Sequence, residues 1–195
     1  METDIAALQK EVKKLQERND QIENFSRRQN LKIIGIPEQV EQGNPMTLMA
    51  TFFHEVLGEK IDETLVLDRA HRGLTAKPQT NPPPNSRPPA PRPMIVRFHY
   101  YNDKEKILQV AREKGGELRF RGTKVHIFPD MSAELSRRRA AFAPVKSKLK
   151  RAGITYGLYH PAELRFTFDG QPRSFQSHEE ADDFINKNIT IPDTV

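Results

Sequence analysis

Sixteen lysines and arginines fall between residues 92 and 151, against six acidic residues, a net of +10. The flanks are balanced or acidic: residues 1–91 carry 12 cations against 13 acids, and residues 152–195 carry 3 against 7. A focused positive field of this kind attracts polyanions, and phosphate oxygens are the acceptors that Arg and Lys meet best. The candidate phosphate ligands are Arg97, Arg112, Lys114, Arg119, Arg121, Lys124, Arg137, Arg138, Arg139, Lys146, Lys150 and Arg151. Arg137, Arg138 and Arg139 follow one another on a predicted helix, about 100° apart, so all three cannot face one groove. Arg27 and Arg28 stand where the hydrophobic period changes, with Lys32 just beyond. They either extend a phosphate track or cap helix carbonyls. Tyr159 could stack on a base or belong to a core. The alternative for the whole block is a solvated face that aids solubility.

Catalytic and metal chemistry find no support. The six histidines, His54, His71, His99, His126, His160 and His178, are scattered without metal-ligand spacing. No GxxxxGK[ST], HExxH or GxSxG occurs. No enzyme activity, no metal and no cofactor is therefore expected. Cysteine is absent, which excludes disulfides and thiolate sites and fits an intracellular protein. Apolar runs are too short for a membrane span, and the start, Met-Glu-Thr-Asp, does not read as a secretory leader.

The elements that must position the cations can be read in order. Ile5, Leu8, Val12, Leu15, Asn19 and Ile22 alternate steps of three and four, with good helix formers between them. That pattern predicts a coiled-coil segment over residues 1–27, with Asn19 as a register-setting polar residue. A lone helix of this length is marginal in water, so the stripe needs a partner, either a second copy or its own domain.

Beyond the two arginines, Leu31–Ile36 predicts a strand and Thr47–Leu57 a helix stopped by Gly58. A second strand lies in ETLVLDRAHRG. Residues 77–93 hold eight prolines, an extended loop. MIVRFHYY predicts a third strand, DKEKILQVAREKGG a helix, and LRFRGTKVHIF a hairpin or fourth strand. In MIVRFHYY, burying Met94, Val96 and Phe98 turns Ile95, Arg97 and His99 outward. The opposite parity would bury Arg97 at high cost.

The order β-α-β-β-α-β over residues 28–129 predicts a ferredoxin-like domain of the RNA-recognition-motif (RRM) kind. Residues 130–195 predict a small mixed α/β domain. In it Ser132 caps a helix, Pro144 kinks or divides that helix, Asp169-Gly170 turns a hairpin, and Ser177 caps a last helix. The fold class is α+β.

The stretches RRQNLKIIGIPE, DRAHR, PRPMIVRFHYYNDKEKILQVAREKG, FPDMSAELSRRRAAFAPVKSKLK and YHPAELRF, in this order behind a coiled coil, resemble the ORF1 proteins of LINE-1-type retrotransposons. The resemblance implies a homotrimeric coiled coil, an RRM and a small C-terminal domain. It also implies binding of single-stranded RNA and DNA, nucleic-acid chaperoning, and packaging of retrotransposon RNA into a ribonucleoprotein, cytoplasmic or also nuclear. It supplies most of the weight for Arg27 and Arg28 as nucleic-acid ligands. Two features depart from the more familiar mammalian members: the proline-rich loop is long and the coil is short, so a dimer stays open beside a trimer. The first strand, LKIIGI, carries no aromatic, so binding is expected to lean on phosphates, in a cleft between the two domains. The competing reading is an interaction scaffold in which coil and loop recruit proteins.

Overall fold

The computed structural model describes residues 2–58, 61, 64–78 and 89–190. Most of the proline-rich stretch lies outside the described residues. Contacts gather the chain into two units, Phe25–Asp130 and Met1–Asn24 with Met131–Val195. Among the described residues no helix is long and apolar enough to cross a membrane.

In the unit Phe25–Asp130, four strands form one antiparallel sheet: β1 (Asn30–Ile34), β2 (Leu67–Arg72), β3 (Met94–Phe98) and β6 (His126–Pro129), in the spatial order β2-β3-β1-β6. Helices α2 (Pro45–Leu57) and α3 (Tyr101–Glu113) intervene, and a short hairpin, β4 (Arg119–Phe120) with β5 (Thr123–Lys124), precedes β6. The strands alternate. Leu31, Ile33, Met94, Val96 and Phe98 are buried and meet Leu48, Met49, Phe52, Phe53, Ile107 and Leu108 of the two helices in one core. Burying a side chain of this size contributes about 2 kcal/mol.

Element ends follow local chemistry. Helix α2 begins at Pro45, two residues before the predicted Thr47, because Asn44 accepts a hydrogen bond from the Thr47 amide at 3.1 Å and Pro45 suits the first turn. It stops at Gly58, φ +78°. Strand β1 ends at Ile34 rather than Ile36. Gly35 follows with φ +99°, and a Cβ there would lie 2.3 Å from the Lys124 carbonyl oxygen. Strand β3 stops at Phe98, so Tyr100 and Tyr101 are not strand residues and α3 starts at Tyr101.

Arg72, on the covered side of β2, is almost wholly buried. It donates to the carbonyls of Ile36 (2.8 Å), Pro37 and Arg92 (2.9 Å) and pairs with Glu41 at 2.7 Å. Arg92 pairs beside it with Glu38 at 2.9 Å. The Arg72 hydrogen bond holds the Glu41 carboxyl below the usual carboxylate range, and the Arg92 hydrogen bond does the same for Glu38.

The second unit begins in helix α1 (Glu2–Arg27). Ile5, Leu8, Val12, Leu15, Asn19 and Ile22 are all exposed on it. The long helix predicted after Pro129 is two, α4 (Ala133–Ala140) and α5 (Ala143–Arg151), with Pro144 in the first turn of α5. Ser132 ties two helices together. Its hydroxyl accepts from the Leu135 amide at 3.0 Å and from the Asn24 amide group at 3.0 Å, and donates to Asp20. Strands β7 (Tyr156–Tyr159), β8 (Glu163–Phe168) and β9 (Gln171–Phe175) form an antiparallel sheet in that order, followed by α6 (His178–Asn188). Leu135, Phe142, Val145, Leu149, Leu164, Phe166 and Ile185 make this core.

Candidate nucleic-acid interface

The face of the four-stranded sheet away from α2 and α3 is open and cationic. Strand alternation puts Lys32 and Ile34 of β1, Arg69 and His71 of β2, Ile95 and Arg97 of β3, and His126 and Phe128 of β6 there. Pairing sets Arg69 directly opposite Arg97, His71 opposite Ile95, and Lys32 between Ile95 and Phe128. Like charges directly opposite on neighbouring strands repel. What relieves them is Asp68, displaced by an irregularity between Leu67 and Arg69. Its carboxylate lies 3.7 Å from Arg97 and 2.9 Å from the His99 ring. The Gln29 side chain accepts from Arg97 at 3.3 Å. Burial, and then the neighbouring Arg69, hold His71 below its ordinary pKa, so His71 is neutral near pH 7. A bound phosphate would do what Asp68 does only in part.

Arg69, His71, His126 and Phe128 were absent from the sequence-derived set. Their signal was strand parity, which needed the displaced residue at Asp68 and the start of β6 to be known.

The other predicted cations of this unit are divided. Arg27 pairs with Asp130 at 3.0 Å, and Arg28 lies 3.9 Å over the Phe25 ring. The Lys114 ammonium donates to the Val56 carbonyl at 3.0 Å, the C-terminal turn of α2. Arg119 donates to the Gly122 carbonyl (3.1 Å), Arg121 covers Phe120, and Lys124 pairs with Glu117 at 3.3 Å. Arg112 is exposed in the last turn of α3.

In the other unit, Arg139 does structural work: it donates to the carbonyls of Leu158 (3.0 Å), Tyr159 (3.0 Å) and Pro161 (2.9 Å), strapping the β7–β8 connection. Arg137 pairs with Glu134 at 2.5 Å. Arg137 and Arg138 line an open groove of about 940 Å³ with Lys13, but so do Glu17, Asp20, Glu23 and Glu134, which offset them. Lys146, Lys150 and Arg151 lie on α5, the last two exposed. Tyr159 is 53% exposed. Its ring lies over Gly157, where a Cβ would come within 2.6 Å of it, and Arg165 stacks on it at 4.9 Å. Arg165 in turn pairs with Glu163 at 2.6 Å. Among the described residues no group of three or more His, Cys, Asp or Glu could hold a metal ion.

An α+β unit with one helix-covered sheet face and one cationic open face is the frame in which the comparisons fall. The L1 transposable element RBD-like domain matches residues 28–130, and the chain belongs to that family. It is similar to the LINE-1 type transposase domain-containing protein 1 of Mus musculus, 28% identical over 174 residues, covering 89% of this chain and 21% of that protein. The Homo sapiens counterpart is 28% identical over 162 residues, 82% of this chain and 18% of that protein. The LINE-1 retrotransposable element ORF1 protein of Mus musculus is 27% identical over 175 residues, 87% of this chain and 46% of that protein. The chain thus spans less than half of each of these relatives.

Proposed function

We propose that the chain is a non-catalytic single-stranded RNA- and DNA-binding protein that chaperones nucleic acid and packages retrotransposon RNA into ribonucleoprotein particles, cytoplasmic or also nuclear. The observation that carries this reading is the Arg69–Arg97 opposition on the open sheet face, with Lys32 on the neighbouring strand. Two arginines at facing register positions gain from an anion set between them. Phosphate contacts of this kind bind with little regard to sequence. The strand order β2-β3-β1-β6, with helices after β1 and β3, supports a ferredoxin-like RRM.

The exposed stripe from Ile5 to Ile22 supports a coiled-coil homo-oligomer, with three strands favoured by the family and two as the alternative. Joining protomers multiplies weak contacts, which lets strands be held and still exchanged. Membership of the L1 RBD-like family supports retrotransposon RNA as the cargo.

Filter binding of the full chain to single-stranded RNA over a range of salt tests the reading. The expected result is a logarithmic salt slope of about −0.7 per phosphate contacted. Weak binding, equal for heparin and RNA, would overturn it in favour of a protein-interaction scaffold.

A further inference from the structure

We propose that Phe128 is a base-stacking ledge on which one nucleobase of a bound strand lies flat, with Lys32 and Arg112 gripping phosphates on either side. This rests on the single-strand reading above and names a contact within it.

Among the described residues, strand β6 is an edge of the four-stranded sheet, paired only with β1. Its alternation buries Ile127 and turns Phe128 out, 47% exposed. An exposed phenylalanine alone means little. Three further features give this one a use. The His126 ring stacks beside it, 14° from parallel with centroids 6.0 Å apart, so an aromatic pair runs along the edge. Lys32 is its register partner on β1, which sets an ammonium on the inner side. On the outer side, a largely apolar hollow of about 340 Å³ opens between α3 and β6, lined by Phe128 and His126 and by Leu108, Ala111 and Arg112 of α3.

A π-face flanked by cations is the pairing by which single-strand binders hold one nucleotide, base on the ring and phosphates on the charges. The inner strands offer no such face: β1 presents Lys32 and Ile34, and β3 presents Ile95 and Arg97. Stacking on this sheet therefore falls to its edge, and the ring is indifferent to which base it receives.

The test uses the full chain and fluorescence anisotropy with two single strands of equal length, oligothymidine and its fully abasic analogue. Phe128→Ala is expected to bind oligothymidine about tenfold more weakly than the parent, and the abasic strand within about twofold. The chain contains no tryptophan, so Phe128→Trp places a single reporter at the ledge. The emission of that variant is expected to be quenched by oligothymidine but not by the abasic strand. Equal loss on both strands for Phe128→Ala, or emission that stays iodide-accessible in the complex, overturns the ledge while leaving the phosphate-binding reading intact. Failure of the parent chain to bind either strand overturns both.

Discussion

Both sheets cover one face with helices and leave the other open, yet the open faces are built differently. On the four-stranded sheet, Arg69, Arg97 and Lys32 face out with Asp68 as the acid set among them. On the three-stranded sheet, Arg165 is paired with Glu163, which also accepts from Ser174, and the exposed ring of Tyr159 lies beside them. The first face holds unspent positive charge and the second is close to neutral. The difference teaches that basic composition alone does not decide where a phosphate would be favoured. The proposed path follows the cations the fold leaves without a full complement of acid.

The comparison breaks most severely at Arg72, which belongs to the first sheet but to its covered face. Arg72→Met removes four hydrogen-bonding partners' donor and leaves Glu41 poorly paired, and should destabilise the protein by about 3 kcal/mol in urea denaturation at pH 7. Glu41 and Glu38 have lowered values in the folded state, so the stability they contribute is complete above the usual carboxylate range. It drains as pH falls through the lowered values. The gap between the parent and Arg72→Met should accordingly narrow in acid.

A smaller effect separates the two faces. Arg69→Ala with Arg97→Ala should reduce the magnitude of the salt slope by about 1.4, two single-strand contacts' worth, in the filter-binding titration. The smallest effect belongs to the second sheet. Arg165→Gln should change that slope by less than about 0.3, because Glu163 already neutralises the guanidinium. A large change at Arg165 and none at Arg69 and Arg97 would invert the comparison.

Much of this was legible in the sequence wherever the determinants are local. The parity of MIVRF, the caps at Ser132 and Ser177, the stop at Gly58 and the break near Pro144 depend on residues within one or two turns. The fates of individual cations depend on distant partners. Arg139 meets carbonyls some twenty residues away, and Lys114 meets one fifty-eight residues away. Arg69 and Arg72 share one short strand, and one is exposed while the other is buried. Phe128 was hidden because HIFP reads equally as a hairpin arm or a sheet strand, and only its pairing with β1 fixes which way the ring turns.

Asp68 has one more consequence. Pushed out of step with β3, it reaches Arg97 and the His99 ring together. In the proposed single-strand binder it would act as a tethered placeholder, at hand when a phosphate oxygen departs. A grip with its own stand-in would loosen one contact at a time, so an incoming strand could take over from an outgoing one.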